Sequence, residues 1–302
     1  MILKCLATDS HVLQHHVLQH HVPCRVCGQV GLNPVLSQEC EAPPDVANLA
    51  NGIAWCPTCS LVQRTEPISS TRSFGILPAG EEEKQSARLM AERLCETRQL
   101  GPDSLVVEIA GNGPELLKSY HQQGIPVLAV GPAHQPVRTI EFEESVCAIS
   151  GTFGTDLALE LVRANRRADV IHINDAFANM TDLNGVVAGL ATLMKPDGVV
   201  VAVVPYLKDH SEFNAVDRED LCYFSLTSLT QLFGQHGLEI VDVERVKSHG
   251  GLFRITAARF GTTSVTTAVH DLMDDEAAWV RDPDIHQLFG DAIAPRQDQW
   301  AA

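Results

Sequence analysis

No run of apolar residues in this 302-residue chain approaches the roughly 20 residues that a membrane-spanning helix needs. The first ten residues, MILKCLATDS, carry one lysine, a short apolar stretch and no small-residue cleavage site, so we expect neither a transmembrane helix nor a signal peptide. Basic residues are scarce, with 22 Lys and Arg against 38 Asp and Glu, for a formal net charge of −16. Such a surface repels phosphates, which argues against a general nucleic-acid or acidic-membrane binder. The local basic group at Arg163, Arg166 and Arg167 is interpreted as the solvated end of a helix.

Disulfide pairing is not indicated for five cysteines that stand alone along the chain. An odd number of isolated cysteines argues for a reducing compartment, and we therefore expect a cytoplasmic protein. These cysteines are Cys5, Cys40, Cys95, Cys147 and Cys222.

The other four cysteines form two CxxC pairs, Cys24 with Cys27 and Cys56 with Cys59. Each pair can present two thiolates from one tight turn, and four thiolates complete a tetrahedral shell around Zn²⁺ with no position left for catalysis. We therefore predict a structural zinc module over residues 23–78. Two disulfides or four free core cysteines are the alternatives. A thioredoxin-type redox pair would need a CxxC that opens a helix after a strand, and residues 28–55 lack that pattern.

A histidine-rich repeat precedes the first CxxC pair. The sequence HVLQH occurs twice in succession, and its histidines are His11, His15, His16, His20 and His21. These side chains could bind a transition metal, but a five-residue period matches neither a helix face nor a strand face. We interpret residues 1–22 as a disordered leader.

The hydrophobic pattern changes from residue 101 onward, where short apolar runs alternate with amphipathic stretches. Near-continuous apolar strands separated by helices indicate a parallel sheet covered on both faces. The predicted strands are 104–110, 127–131, 169–174 and 199–204, and the predicted helices are 81–100, 114–123, 155–163 and 183–194. Residues 239–246 and 253–260 are joined by a short turn containing Gly250 and Gly251, which indicates an antiparallel pair at one sheet edge. The prediction is an α/β, doubly wound sheet over residues 79–260, followed by a tail over 261–302.

In a doubly wound sheet the ligand lies beyond the carboxyl ends of the strands, at the switch point beside the first strand. Here the first strand leads into the turn Glu108-Ile-Ala110-Gly111-Asn112. An acidic residue near a strand end, followed by small residues, suits a nucleoside ligand because the backbone can approach it closely. A simple connector is the alternative for this turn, and Pro114 also suits the first position of the next helix.

Taken together, these motifs resemble the S-adenosylmethionine-dependent sugar C-methyltransferases of deoxysugar biosynthesis. The segments that carry the resemblance lie within residues 23–260 and are CRVCG at 24–28, CPTCSLVQ at 56–63, GPDSLVVEIAGN at 101–112, MTDLNGVVAGLATLMKPDGVV at 180–200, YFSLTSLTQLFGQHGLEIVDVE at 223–244 and SHGGLFRI at 248–255. The resemblance implies a zinc-binding N-terminal module, a class I methyltransferase domain and a small-molecule sugar substrate in specialised-metabolite biosynthesis. It also implies that S-adenosylmethionine is contacted by a set of residues at the strand ends, namely Glu108, Ala110, Gly111, Asn112, Gly131 and Asn174.

The cofactor turn departs from the family pattern E-x-G-x-N-D-G. Glu108 and Asn112 are kept, but Ala110, Gly113 and Pro114 stand at the other three places.

The end of the second strand departs as well. Gly131 replaces a glutamate that accepts hydrogen bonds from the ribose hydroxyls in the family, and losing such charge-assisted bonds costs roughly 1.5 to 3 kcal/mol of binding.

The catalytic stretch Y-H-E-H of the family aligns with residues 217–220, which read DRED here, and only residues 261–302 stand where the family has a further domain. The candidates for a general base are therefore His249, Asp217 and Asp220. The alternatives are that His249 is only a turn residue and that the two aspartates belong to a solvated acidic loop. Loss of the family base favours O- or N-methylation of an aminosugar or of a sugar already attached to an aglycone. The predicted substrate class is a deoxysugar or aminosugar, linked to a nucleotide or attached to an aglycone. The alternatives are a non-methylating binding or regulatory partner, and a different reaction on the same scaffold.

Overall fold

The computed structural model describes residues 22–35, 52–65, 80–111, 115–131, 147–174, 176–209, 220–246 and 251–284. The histidine repeat, Asn112, Asp217 and His249 lie outside these residues. In the described part, the strands are β1 (Asn33–Pro34), β2 (Ile53–Trp55), β3 (Val62–Arg64), β4 (Val106–Ile109), β5 (Val127–Gly131), β6 (Cys147–Ser150), β7 (Ala168–Asn174), β8 (Met194–Pro205), β9 (Cys222–Tyr223), β10 (Leu238–Val246) and β11 (Leu252–Arg259). The helices are α1 (Glu81–Arg98), α2 (Glu115–His121), α3 (Thr155–Arg163), α4 (Leu183–Leu193), α5 (Leu226–Gly234) and α6 (Thr267–Ala277).

Seven strands form the large sheet in the order β10-β11-β8-β7-β4-β5-β6. The parallel strand pairs are β8–β7, β7–β4, β4–β5 and β5–β6. Strand β11 runs antiparallel to both β8 and β10. Because the chain steps from β4 outward to β6 and then returns to β7, the switch point lies between β4 and β7. The predicted α/β fold with an antiparallel edge pair is confirmed, and β11 is inserted between the edge strand and the parallel strands.

Helices cover both faces of the large sheet, as its apolar strands require. On one face, α1 and α2 pack over the sheet through a core that includes Ala91, Leu117 and Val170. On the other face, α3, α4 and α5 pack with the small sheet in a second core that includes Leu190 and Leu229. The carboxyl ends of the parallel strands therefore remain the edge at which a ligand can be held.

The small sheet has the order β1-β2-β3-β9, so its last strand comes from residues far along the chain. Val62 pairs with Tyr223 and Gln63 with Cys222. The cysteine-bearing segment and the large sheet also share one continuous hydrophobic core. The predicted zinc module is thus completed by β9, outside the 23–78 span.

Residues beyond 260, predicted as a tail, include helix α6, which packs against α5 and β10. Val269, Trp279 and Val280 are buried there. No helix in the described ranges is long and apolar enough to cross a membrane.

Candidate functional site

Four of the predicted cofactor residues lie at neighbouring strand ends. Ala110 and Gly111 follow β4, Gly131 ends β5 and Asn174 ends β7. β4 pairs in parallel with both β5 and β7, so these three carboxyl ends are adjacent. The structure therefore brings the described members of the predicted set together at the switch point. Asn112, the remaining member, lies outside the described residues.

The turn after β4 has the backbone of a close-approach loop. Ala110 has φ of +50°, a left-handed conformation that costs an L-residue roughly 1 to 2 kcal/mol and that glycine adopts freely. The Ala110 N–H donates to the Val130 carbonyl at 2.7 Å, which ties the turn to the end of β5. The chain thus retains a backbone conformation that suits the glycine of the family motif, although alanine occupies the position.

Glu108 is buried and folds over Gly111. A Cβ at Gly111 would lie within 2.7 Å of both Glu108 carboxylate oxygens, so the arrangement requires glycine. Glu108 lies in register with Ala129 of β5 and His172 of β7, which places its side chain at the centre of the edge.

Asn174 supplies a second polar group at this edge. Its Oδ1 is buried and has no hydrogen-bond partner within the described part of the chain. A buried acceptor without a donor costs free energy, and a ligand with hydroxyl or amine donors would satisfy it. The glycine under Glu108 and the orphaned Asn174 oxygen together fit a nucleoside-bearing cofactor. Gly131, which pairs with Ser150 of β6, contributes no carboxylate to this site.

A buried pair next to this site was not found from the sequence. Tyr120 Oη and His172 Nε2 are 2.9 Å apart inside the α1 and α2 face. Burial, and secondarily the charge of Arg254, lowers the pKa of His172 to about 3, so the imidazole is uncharged at neutral pH. In the sequence, His172 lies within an apolar run that predicts a strand, and that run does not indicate which side chain His172 contacts.

Asp220 lies where the cysteine-bearing segment meets the large sheet. Its Oδ1 accepts from Asn179 Nδ2 at 3.0 Å, and its carbonyl accepts from Arg64 Nε at 3.0 Å. The next residue, Leu221, donates its N–H to Asn179 Oδ1 at 3.2 Å. Asn179 belongs to the short helical turn Phe177–Asn179 that follows β7. Asp220 therefore holds the segment after Asn174. The other base candidates, Asp217 and His249, lie outside the described residues.

The four predicted metal ligands form one cluster in which all Sγ atoms lie within 4.8 Å of one another. Cys24 and Cys59 are 3.4 Å apart, and Cys27 and Cys56 are 3.5 Å apart. Tetrahedral zinc with bonds of about 2.3 Å separates its sulfur ligands by about 3.8 Å, so the cluster fits this ion.

Two similar turns present these sulfurs. Gly28 N–H donates to the Cys24 carbonyl and Ser60 N–H to the Cys56 carbonyl, each at 2.8 Å. Both turns end in a left-handed residue, with φ of +72° at Gly28 and +64° at Ser60.

Hydrogen bonding among the thiols separates the pKa values of three cysteines of the cluster. Hydrogen bonds from Cys24 and then Cys59 lower the pKa of Cys56. Hydrogen bonding with Cys56 raises the pKa of Cys24, and hydrogen bonding with Cys24 raises the pKa of Cys59. A cation bound among the sulfurs would favour the thiolate form of its ligands, because metal binding displaces thiol protons.

Comparison with known proteins yields one family and several relatives. The profile of the family described as "Methyltransferase domain" matches residues 83–243. C-methyltransferase NovU from Streptomyces niveus is 30% identical over 196 residues, which are 64% of this chain and 46% of the relative. The chain thus spans about half the length of this curated relative.

Solved structures of low sequence identity were also found. Mitomycin 7-O-methyltransferase MmcR is 15% identical, with a TM-score of 0.45 and coverage of 60% of this chain and 55% of that one. Glycopeptide N-methyltransferase MtfA complexed with S-adenosylmethionine is 13% identical, with a TM-score of 0.44 and coverage of 64% and 100%.

Proposed function

The chain belongs to the methyltransferase-domain family, and on that premise we propose that it transfers a methyl group from S-adenosylmethionine to a deoxysugar or aminosugar. The observation that carries the proposal is the switch-point edge, where Glu108 folds over Gly111 and the buried oxygen of Asn174 has no hydrogen-bond partner among the described residues. S-adenosylmethionine, when bound, supplies an electrophilic methyl group. NovU, a C-methyltransferase by name, supports the reaction class.

The residues at this edge have different roles in binding the cofactor. The Glu108 carboxylate and the Asn174 amide oxygen are acceptors for hydroxyl and amine donors of the ligand. The left-handed turn at Ala110 lets the backbone approach the ligand closely. Because Gly131 leaves the end of β5 without a carboxylate, we expect weaker affinity than in relatives that have an acidic residue there.

The acceptor must be held in line and, if it is a hydroxyl, must lose a proton. His249 is our candidate for the general base, with Asp217 as a second candidate, because a base with a pKa near neutrality is the most effective at cellular pH. A His249→Gln variant is expected to keep cofactor affinity while turnover falls by roughly 10². Turnover equal to that of the parent protein would remove His249 from the mechanism.

We also propose that Cys24, Cys27, Cys56 and Cys59 bind one structural Zn²⁺. The support is the sulfur cluster, whose spacing fits a tetrahedral ion. Four thiolates would close the coordination shell, so this metal would have no part in the methyl transfer.

Calorimetric titration with S-adenosylhomocysteine tests the cofactor site. The parent protein is expected to bind it, and Gly111→Ala is expected to weaken binding at least tenfold because the new Cβ would displace Glu108. Gly101→Ala is the matched control, since a Cβ there meets nothing within 4 Å. If the parent protein fails to bind, a non-methylating partner becomes the better account of the chain.

A further inference from the structure

A groove of about 670 Å³ runs beside the cofactor edge. Its walls are the part of α1 from Glu81 to Arg93 and two side chains of the edge strands, Glu244 and Arg254. It has the size of a small-molecule site and contains both charged and apolar groups.

The strand register places this groove next to Asn174. Asn174 pairs with Val203 of β8, Val203 with Arg254 of β11, and Arg254 with Glu244 of β10. Residues in register project from the same face of a sheet, and neighbouring strands lie about 4.8 Å apart. The backbone of Arg254 is therefore about 10 Å from that of Asn174, on the same face. A molecule in the groove would adjoin a cofactor held at the strand ends.

The polar groups of the groove match a polyhydroxylated ring. Arg254 donates to Glu244 at 3.0 Å, and both side chains keep further donor and acceptor positions. Gln85 adds an amide with a donor and an acceptor. A sugar hydroxyl both donates and accepts, so such a mixed wall can bind a row of them. Leu89, 54% exposed, offers an apolar surface for the C–H face of the ring.

The charge of the groove selects among sugars. Most of its charges are ion-paired: Glu81 with Lys84 at 2.8 Å, Arg93 with Asp242 at 3.6 Å, and Arg254 with Glu244 at 3.0 Å. Glu82 forms no ion pair within the described ranges, so the lining residues and their partners together carry one negative charge in excess. Excess negative charge repels a phosphate and attracts an ammonium group.

We propose that this groove binds the methyl acceptor and that the acceptor is an amino sugar without a phosphate. The inference rests on the proposed function and narrows it, because it selects a protonated aminosugar over a nucleotide-linked sugar. Glu82 binds the ammonium group, and Arg254 with Glu244 binds the hydroxyls.

Methyl NMR on the protein with ¹³C-methyl methionine, saturated with S-adenosylhomocysteine, provides the test. Met90 lines the groove, and a Met90→Leu variant assigns its signal. The probes are glucosamine, glucose and glucose 1-phosphate at equal ionic strength. We expect the Met90 signal to shift with glucosamine at the lowest concentration, with glucose at a higher one, and with glucose 1-phosphate least.

Variants of α1 separate a specific site from general charge. Glu82→Gln is expected to reduce the preference for glucosamine over glucose at least threefold, whereas Glu96→Gln, an exposed site outside the groove, leaves it unchanged. An unmoved Met90 signal, or a response to glucose 1-phosphate equal to that of glucosamine, overturns the groove proposal even if S-adenosylhomocysteine binds. Failure of S-adenosylhomocysteine to bind in calorimetry on the same sample overturns the proposed function, and the groove proposal with it.

Discussion

Ser60 occupies a backbone conformation that its side chain disfavours. Its φ is +64°, and its buried Oγ has no hydrogen-bond partner in the described part of the chain. The equivalent position of the first cysteine turn is Gly28, which adopts φ of +72° without a side chain. Both turns thus adopt the same left-handed backbone conformation, one with glycine and the other with serine.

Replacing Ser60 with glycine should raise the free energy of unfolding by about 1 kcal/mol, because it removes left-handed strain and an unsatisfied hydroxyl. The gain is smaller than the strain itself since glycine also increases the entropy of the unfolded chain. Urea denaturation in the presence of zinc measures the change. Gly28→Ser is the reverse control and should destabilise the protein; a less stable Ser60→Gly variant would contradict the prediction.

Asp220 has two competing roles, general base or positioning residue, and its contacts favour the second. It fixes Asn179, and through it the segment that follows Asn174. Asp220→Ala is expected to weaken S-adenosylhomocysteine binding roughly tenfold, in keeping with the loss of a buried hydrogen bond. Asp220→Asn keeps an acceptor for Asn179 and should bind within about threefold of the parent protein.

Turnover separates these roles further. A positioning Asp220 predicts that the asparagine variant retains most of its activity at all pH values. A loss of roughly 10² in the asparagine variant, with unchanged cofactor affinity, would instead assign proton transfer to Asp220.

At the scale of elements, a carboxylate of α6 caps the N-terminus of helix α5. Glu276 is fully buried and accepts from Leu226 N–H at 2.6 Å and from Thr227 N–H at 2.8 Å. Ser225 accepts from the next amide, Ser228 N–H, at 3.1 Å. The first three amides of α5 therefore have acceptors, and two of these acceptors are carboxylate oxygens from a helix that starts 41 residues later in the chain. This cap fastens the C-terminal helix to the core.

Removing this cap should be costly. Glu276→Ala is expected to lower the free energy of unfolding by about 2 to 3 kcal/mol, because the Leu226 and Thr227 amides lose their shared acceptor. Chemical denaturation measures the change, with Glu160→Gln at an exposed position of α3 as the neutral control. A loss no larger than that of the control would contradict the assigned cap.

The same residue gives a pH dependence. Burial raises the pKa of Glu276, against the opposing hydrogen bonds from Thr227. A carboxyl group with a raised folded-state pKa contributes most below its ordinary value of 4.5 and less as the pH rises through the folded value. The stability of the parent protein relative to Glu276→Gln should therefore fall as the pH rises above 4.5.

The elements of the large sheet were predictable because periodicity reports them directly. β5 and α3 have the predicted bounds, and β7 differs by one residue. β8 begins at Met194, earlier than predicted, because Pro196 and Gly198 interrupt the apolar pattern. The two- and three-residue strands of the small sheet are too short for any period. The Glu276 cap and the Tyr120–His172 pair depend on contacts distant in sequence, which a local pattern does not record.

The position of the candidate site could likewise be predicted from the periodicity of the strands. Glu108, Gly111 and Asn174 follow strands whose ends periodicity locates, so their meeting at one edge follows from the topology. The Asn174 oxygen that lacks a partner among the described residues, and the contacts of Asp220, depend on packing, and only the structure shows them.

For the molecule as a whole, the cysteine cluster is joined to the large sheet by side-chain hydrogen bonds. Asn184 at the start of α4 donates to the carbonyls of Arg25 at 2.8 Å and Val26 at 3.1 Å, within the first CxxC turn. The same Asn184 contacts His236 at 2.9 Å. Arg64 links β3 to Asp220. If the cluster binds the proposed zinc, its loss would therefore affect the cofactor edge as well as the small sheet.

We expect Cys27→Ser to abolish zinc binding, lower the thermal midpoint and weaken S-adenosylhomocysteine binding. The reason is that metal binding supplies much of the folding free energy of a small cysteine module, and Arg64 and Asn184 depend on that module. Elemental analysis, thermal denaturation and calorimetry measure the three effects. Cys95→Ser, on α1 away from the cluster, is the control. Purified parent protein without zinc would refute the site.

The pairing of β3 with β9 also sets an order of events on the ribosome. Synthesis from residue 59 to residue 223 takes roughly 10 to 30 s at about 5 to 20 residues per second. Throughout that time all four cysteines have emerged or are emerging, while the strand that completes their sheet has not been made. A metal captured early would hold the two turns together until β9 arrives. In zinc-depleted cells the nascent chain would keep four exposed thiols over this interval, so its yield should depend on zinc supply during translation more than on zinc added to the finished protein.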